Sequence, residues 1–106
     1  MADIEFVEGE YGDTYVITIK DANGVDANIS AYSSGTLLIN DLDLTTNKTS
    51  ATLTGLPSSN SKVNWVMANG QTGYNGSFVA QVQLTGSGIT KTTKLMSVTA
   101  HRKLAS

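Results

Sequence analysis

Between residues 77 and 85, Phe78, Ala80, Val82 and Leu84 fall at every second position, with Gln81, Gln83 and Thr85 between them. A period of two sends successive side chains to opposite faces of an extended backbone, whereas an amphipathic helix repeats its apolar residues at three and four. This stretch is therefore expected to be a strand with one buried face. The same period puts Tyr15, Ile17 and Ile19 on one face of residues 13–20. Residues 4–7 read as a short first strand, and 62–67 as a strand carrying the single tryptophan, Trp65. Residues 35–40, Gly-Thr-Leu-Leu-Ile-Asn, form a near-continuous apolar run of the kind a central strand shows. Threonine and serine together supply 25 of the 106 residues, a composition weak in helix propensity.

Turn chemistry separates these runs. Asp21-Ala22-Asn23-Gly24 is expected to close a tight turn into a short, interrupted return arm over 25–29, because Asn-Gly accepts positive φ. After residue 40, Leu42 and Leu44 alternate with Asp43 and Thr45, and Asn47-Lys48 is read as the hairpin turn into a polar edge strand over 49–54. Residues 55–60, with the only proline, form a loop; 69–76 form a glycine-rich connection; Gly86-Ser87-Gly88 turns into a last segment, 89–100, whose alternation is less clean. The expectation is an all-β domain over residues 1–100, a β-sandwich of about seven to nine antiparallel strands, with a basic tail over 101–106 and no internal repeat.

The absence of cysteine excludes disulfide scaffolds, thiolate metal sites and thiol catalysis. The acidic start, Met1-Ala2-Asp3-Ile4-Glu5, lacks the pattern of a signal peptide, and no run is long and apolar enough to span a membrane, so synthesis in a cytoplasm and no membrane partner are expected. Net charge is only −2, yet all nine carboxylates precede residue 44 with Lys20 alone against them, and the six cations after Asp43 face no acid. Such halves either interleave on folding or leave a dipolar particle.

Candidate chemistry is sparse. His101 is the only histidine and reads as a tail residue, since no local carboxylates complete a metal site or a catalytic relay. Asp41 and Asp43 would share a face of a solvated strand edge. Gly70–Gly73 and Gly86–Gly88 are glycine-rich without a phosphate-loop pattern or a following helix. Trp65 is expected in the core, while Tyr74, in a loop, suits either the core or a sugar site with Asn69, Gln71 and Asn75. Lys91, Lys94, Arg102 and Lys103 are not interleaved with aromatics, so nucleic acid is not an expected partner. Ile4 and Phe6 precede a hinge-like segment, Gly9–Gly12, and could pair within the chain or add to a neighbour.

Residues 8–26, running Glu-Gly-Glu-Tyr-Gly-Asp-Thr into a strand and an Asp-Ala-Asn-Gly turn, resemble the opening of immunoglobulin-like modules of phage virions, best known as the N-terminal domains of upper baseplate proteins. Residues 73–85 resemble the penultimate strand of those modules, followed by a glycine turn and a Thr/Lys-rich last strand. The second half departs from them in lacking acidic residues, and the modules in baseplate proteins continue into further domains. The resemblance implies an immunoglobulin-like β-sandwich in a virion, acting without catalysis or cofactor as a capsid decoration protein or a tail or baseplate accessory. Its partners would be major capsid or tail proteins, with self-association possible, and its contact residues would be drawn from Ile4, Phe6, Tyr74, Lys91, Lys94 and Arg102. The alternative is a carbohydrate-binding or host-adhesion module centred on Tyr74.

Overall fold

The computed structural model describes residues 3–21, 23–56 and 60–104. Its elements are all strands: β1 (Ile4–Val7), β2 (Thr14–Thr18), β3 (Tyr32–Asn40), β4 (Asn47–Thr52), β5 (Lys62–Val66), β6 (Gly76–Gly86), β7 (Ile89–Thr92) and β8 (Met96–His101). One mixed sheet has the order β1-β8-β6-β3-β4, with β7 beside the second half of β6, and β2 and β5 form a separate antiparallel pair. Eight strands among the described residues agree with the seven to nine expected. The arrangement is not wholly antiparallel, because β1 runs parallel to β8 with Ile4 opposite Val98 and Phe6 opposite Ala100. A parallel neighbour is available to the first strand because its partner comes from the far end of the chain.

The two sheets share one core. β6 inserts Phe78, Ala80, Val82 and Leu84, as its period of two requires, and these meet Ile17, Val63 and Trp65 from the β2–β5 pair. Trp65 has no solvent exposure, and its Nε1 donates to Gln71 Oε1 at 2.9 Å, so the largest buried side chain leaves no unmet donor. β3 is central, flanked by β4 and β6, and its apolar run resolves into buried Leu37 and Ile39 with half-buried Leu38 turned outward. No buried side-chain polar atom among the described residues lacks a partner.

Three local expectations change. Asn47 and Lys48 lie in β4, and the β3–β4 turn is residues 41–46, where the Asp43 carboxylate accepts from Thr45 N, Thr46 N and Thr46 Oγ1. Asp41 and Asp43 are thus turn residues, not neighbours on a strand edge, since a side chain that caps two backbone donors holds a turn more firmly than alternation holds a strand. Among the described residues of this turn, Asp21, Asn23 and Gly24, only Gly24 has positive φ. The turn is closed by Asp21 Oδ1, which accepts from Asn23 N and Val25 N. His101 belongs to β8, and Lys103 N donates to Glu8 Oε1, so the chain stays attached past residue 100. The expected loop over 55–60 includes Pro57, Ser58 and Ser59, which lie outside the described residues.

The β7–β8 junction explains the uneven alternation after Gly88. β7 pairs with β6 in the register Gln83 to Thr92, and β8 resumes at Ala80 to Met96, so Thr93, Lys94 and Leu95 oppose Gln81 and Val82 alone. This is a bulge, three residues against two. Thr93 holds it: its N–H donates to Val82 O, its Oγ1 accepts from Val82 N at 3.0 Å, and its carbonyl, turned aside, accepts from Gln81 Nε2 at 3.0 Å.

Candidate interaction surface

The outward side chains of the larger sheet form the most distinctive surface. Cross-strand neighbours there pair Thr36 with Thr52 and Gln83, Leu38 with Ser50 and Gln81, Val79 with Ser97, Ser77 with Thr99, and Thr85 with Thr90. Every one of these side chains is uncharged. The charges on this face stand at its margins, where Lys48 lies 4.0 Å from Asp41, and His101 Nε2 lies 3.2 Å from Glu5 Oε2.

Near the middle, Leu38, Asn40, Leu44, Val79, Gln81 and Leu95 line a shallow groove of about 320 Å³. Each apolar member reaches it for a separate reason. Leu38 and Val79 are the extra apolar residues in otherwise alternating strands, and Leu95 is carried outward in the bulge fixed by Thr93. Leu44 sits in the left-handed region at φ 68°, a conformation costing an L-residue roughly 1–2 kcal/mol. The turn over-determines it: Leu44 N donates to Asp41 O, Asn40 Nδ2 donates to Leu44 O, and the Asp43 cap follows. Leu44 and Leu95 remain 53% and 50% exposed. A leucine kept where glycine or asparagine fits better, with its side chain half in water, is an outlier that points to a role outside the fold.

The electrostatics of the turn follow from its geometry. Backbone donation from Thr46 and Thr45, with the Thr46 hydroxyl, lowers the Asp43 pKa to about 2. The hydrogen bond and charge of Lys20 hold Asp26 below the ordinary carboxylate range, with Lys20 Nζ 2.9 Å from Asp26 Oδ1.

The residues singled out from sequence go elsewhere. Ile4 and Phe6 are buried in the core, paired with the chain's own β8, and so present no surface in this fold. Tyr74 is half-buried: its ring meets Phe6 and Phe78 edge-on at 5.7 and 4.7 Å, and its hydroxyl lies 2.7 Å from Thr49 Oγ1. Burial raises its pKa, partly opposed by that bond. Gln71 Oε1 is committed to Trp65 Nε1 and Ala68 N, and Asn75 Nδ2 donates to Glu8. Lys91, directly opposite Leu84, is half-buried, while Lys94 and Arg102 are exposed in the bulge and beyond β8. The structure therefore gathers Phe6 and Tyr74 into one aromatic cluster, while the three cations come from three places in the chain, β7, the bulge and the segment after β8. Among the described residues, no group of three or more His, Asp or Glu side chains is placed to hold a metal ion.

Leu38, Leu44, Val79 and Leu95 escaped the sequence reading, although Leu37-Leu38-Ile39 and Phe78-Val79-Ala80 carried the signal, an apolar residue on the face that alternation assigns to water. Comparison with protein-family models, curated proteins and solved structures finds no match in any of the three.

Proposed function

We propose that this chain is a non-enzymatic binding module of a bacteriophage virion, an immunoglobulin-like β-sandwich that attaches through the outer face of its larger sheet to a capsid, tail or baseplate protein. The observation that carries the binding role is the uncharged face with its apolar groove. An apolar centre free of charge within a polar surround is the anatomy of protein interfaces, where desolvating a charge would be costly. The strand order supports the fold assignment. β3, β6 and β8, with β4 beside β3, follow the C, F, G and C′ order of the variable-type sandwich, and β2 with β5 stand for its B and E strands. The placement in a virion rests on the resemblance of residues 8–26 and 73–85 to phage modules.

The test is co-sedimentation of the purified protein with capsids and with tails, comparing the natural chain with Val79→Asp and Leu95→Asp. Both changes lie on a solvated face, so the fold should persist while occupancy falls by at least about tenfold, the equivalent of one desolvated charge. Unchanged occupancy with both variants would overturn the assignment of this face. Binding to glycans instead of particles, lost in Tyr74→Ala, would replace the reading with the carbohydrate-binding one.

A further inference from the structure

The edges of a sheet expose unpaired backbone groups, and proteins blunt them with charges, prolines, bulges or short strands. β1 carries Glu5, β4 carries Lys48 beside a register shift, β5 carries Lys62 and β7 carries Lys91. β2, Thr-Tyr-Val-Ile-Thr, carries no charge, proline or bulge, and among the described residues it pairs only with β5. Its backbone polarity is fixed by the bonds at either end, Met67 N to Asp13 O at 2.9 Å and Ile19 N to Ser61 O at 2.7 Å. Odd-numbered residues therefore face β5, and Thr14, Val16 and Thr18 direct their N–H and C=O groups away from it. Val16 is 51% exposed at the centre of this edge, and an open groove of about 250 Å³ runs along it, with Lys20 and Lys94 in its lining.

We infer that this edge binds a second copy of the chain, β2 against β2 in antiparallel register about a two-fold axis at Val16. The register follows from the polarity: Val16 opposes Val16 and Thr14 opposes Thr18, and each of these pairs can exchange two backbone hydrogen bonds. Charge complementarity selects the occupant. β2 itself is uncharged, so its own side chains do not repel at the axis, and the groove beside it carries both signs, Asp3 as well as Lys94; Glu10 and Asp13 precede β2 and Lys20 follows it. Antiparallel pairing sets Lys20 of each copy beside Gly12 and Asp13 of the other. The two-fold stands perpendicular to the joined β5-β2-β2-β5 sheet, so the larger sheets of both copies lie on the same side. The dimer would thus present two uncharged faces in one direction, and on a repeating surface the second attachment becomes intramolecular. That last consequence rests on the function proposed above; the dimer does not.

The chain's lack of cysteine makes the test direct. Light scattering on the isolated protein should show a mass rising with concentration toward twice 11.2 kDa, and falling back in high salt. Val16→Lys, which sets like charges opposite one another, should weaken the dimer by about tenfold or more. Mild oxidation of Val16→Cys should give a covalent dimer, because Cα atoms of directly opposite, bonded residues lie about 5.5 Å apart, within disulfide reach. Val66→Cys, on the same face but off the axis, should cross-link far more slowly. A natural chain that stays monomeric at the highest attainable concentration overturns the inference, as does equal cross-linking of the two cysteine variants. A dimer that resists Val16→Lys also overturns it. None of these readouts involves capsids or tails, so failure here leaves the attachment face untouched.

Discussion

Replacing Thr93 by valine is nearly isosteric, which makes it a clean probe of the bulge between β7 and β8. Thr93 is 7% exposed, and its Oγ1 accepts the Val82 N–H at 3.0 Å in a part of β6 where the regular ladder partner, the Thr93 carbonyl, has turned to Gln81. Valine fills the same space but leaves that buried N–H without an acceptor, at a cost of about 1–3 kcal/mol. Thr93→Ser keeps the oxygen and loses one methyl group, at most about 0.8 kcal/mol. Equilibrium urea unfolding should therefore rank the natural chain above Thr93→Ser and Thr93→Ser above Thr93→Val, whereas hydrophobicity alone would put the valine variant first. The midpoints should shift at constant m-value, and thermal midpoints for a domain of this size should fall by about 4–8 °C per kcal/mol. Because the bulge also carries Leu95 outward, Thr93→Val should weaken attachment more than Thr93→Ser. A Thr93→Val variant as stable as Thr93→Ser would refute the reasoning, since burial alone would then account for the site.

Gly86→Ala should be more damaging than any surface change. Its Cβ would lie 2.3 Å from the carbonyl oxygen of Ala31, a backbone atom that no rotamer can move, and a loss of roughly 2 kcal/mol or more should appear as a lowered urea midpoint. Leu44→Asn should leave stability unchanged or raise it by up to about 1 kcal/mol, because asparagine accepts φ 68° more readily, while co-sedimentation with the cognate particle falls. Asp43 and Asp26 both have pKa values lowered from 3.8, Asp43 to about 2. Both contribute stability above pH 4; that of Asp43 is lost as pH falls toward 2, and that of Asp26 as pH falls through its own lowered pKa. Asp43→Asn should flatten that part of the stability profile, and the Asp43 carboxyl should titrate by NMR near pH 2.

Most of the fold was legible where one principle acts alone. The face of β6 and the buried half of β2 follow from alternation against a single core, and Trp65 from its bulk. Errors arose where side chains bond to backbone. Asp43 captures two amides and turns residues 41–46 out of the strand that Leu42 and Leu44 suggested, and Thr93 inserts a residue that ends β7 and restarts β8. The surface was read least well, for a related reason. Tyr74 looked available because it lies in a loop, yet the loop closes onto Phe6 and Phe78, and the β1–β8 pairing that brings Phe6 there links the two ends of the sequence. The groove formed by Leu44 and Leu95 depends on a left-handed turn residue and on the bulge, neither of which has a periodic signature.

The separation of charge along the sequence acquires its meaning from that same pairing. Because β1 lies beside β8, acids from the first residues meet the end of the chain: Asp3 Oδ2 accepts from Ser97 N, Glu5 meets His101, and Glu8 accepts from Lys103 N. Acidic and basic segments are thus interleaved at one margin of the larger sheet, and the pair of Asp41 and Lys48 closes the opposite margin. A chain with alternating charges could fold the same way, but β3, β6 and β8 would then carry acids or bases on their outward positions. The carboxylates fall within residues 3–26 and at 41 and 43, outside β3, β6 and β8, which leaves Thr, Ser, Gln and Leu there instead. On this argument the uneven sequence is not a device for a dipole. It keeps one broad face free of charge, and the proposed β2 dimer would turn two such faces toward the same surface.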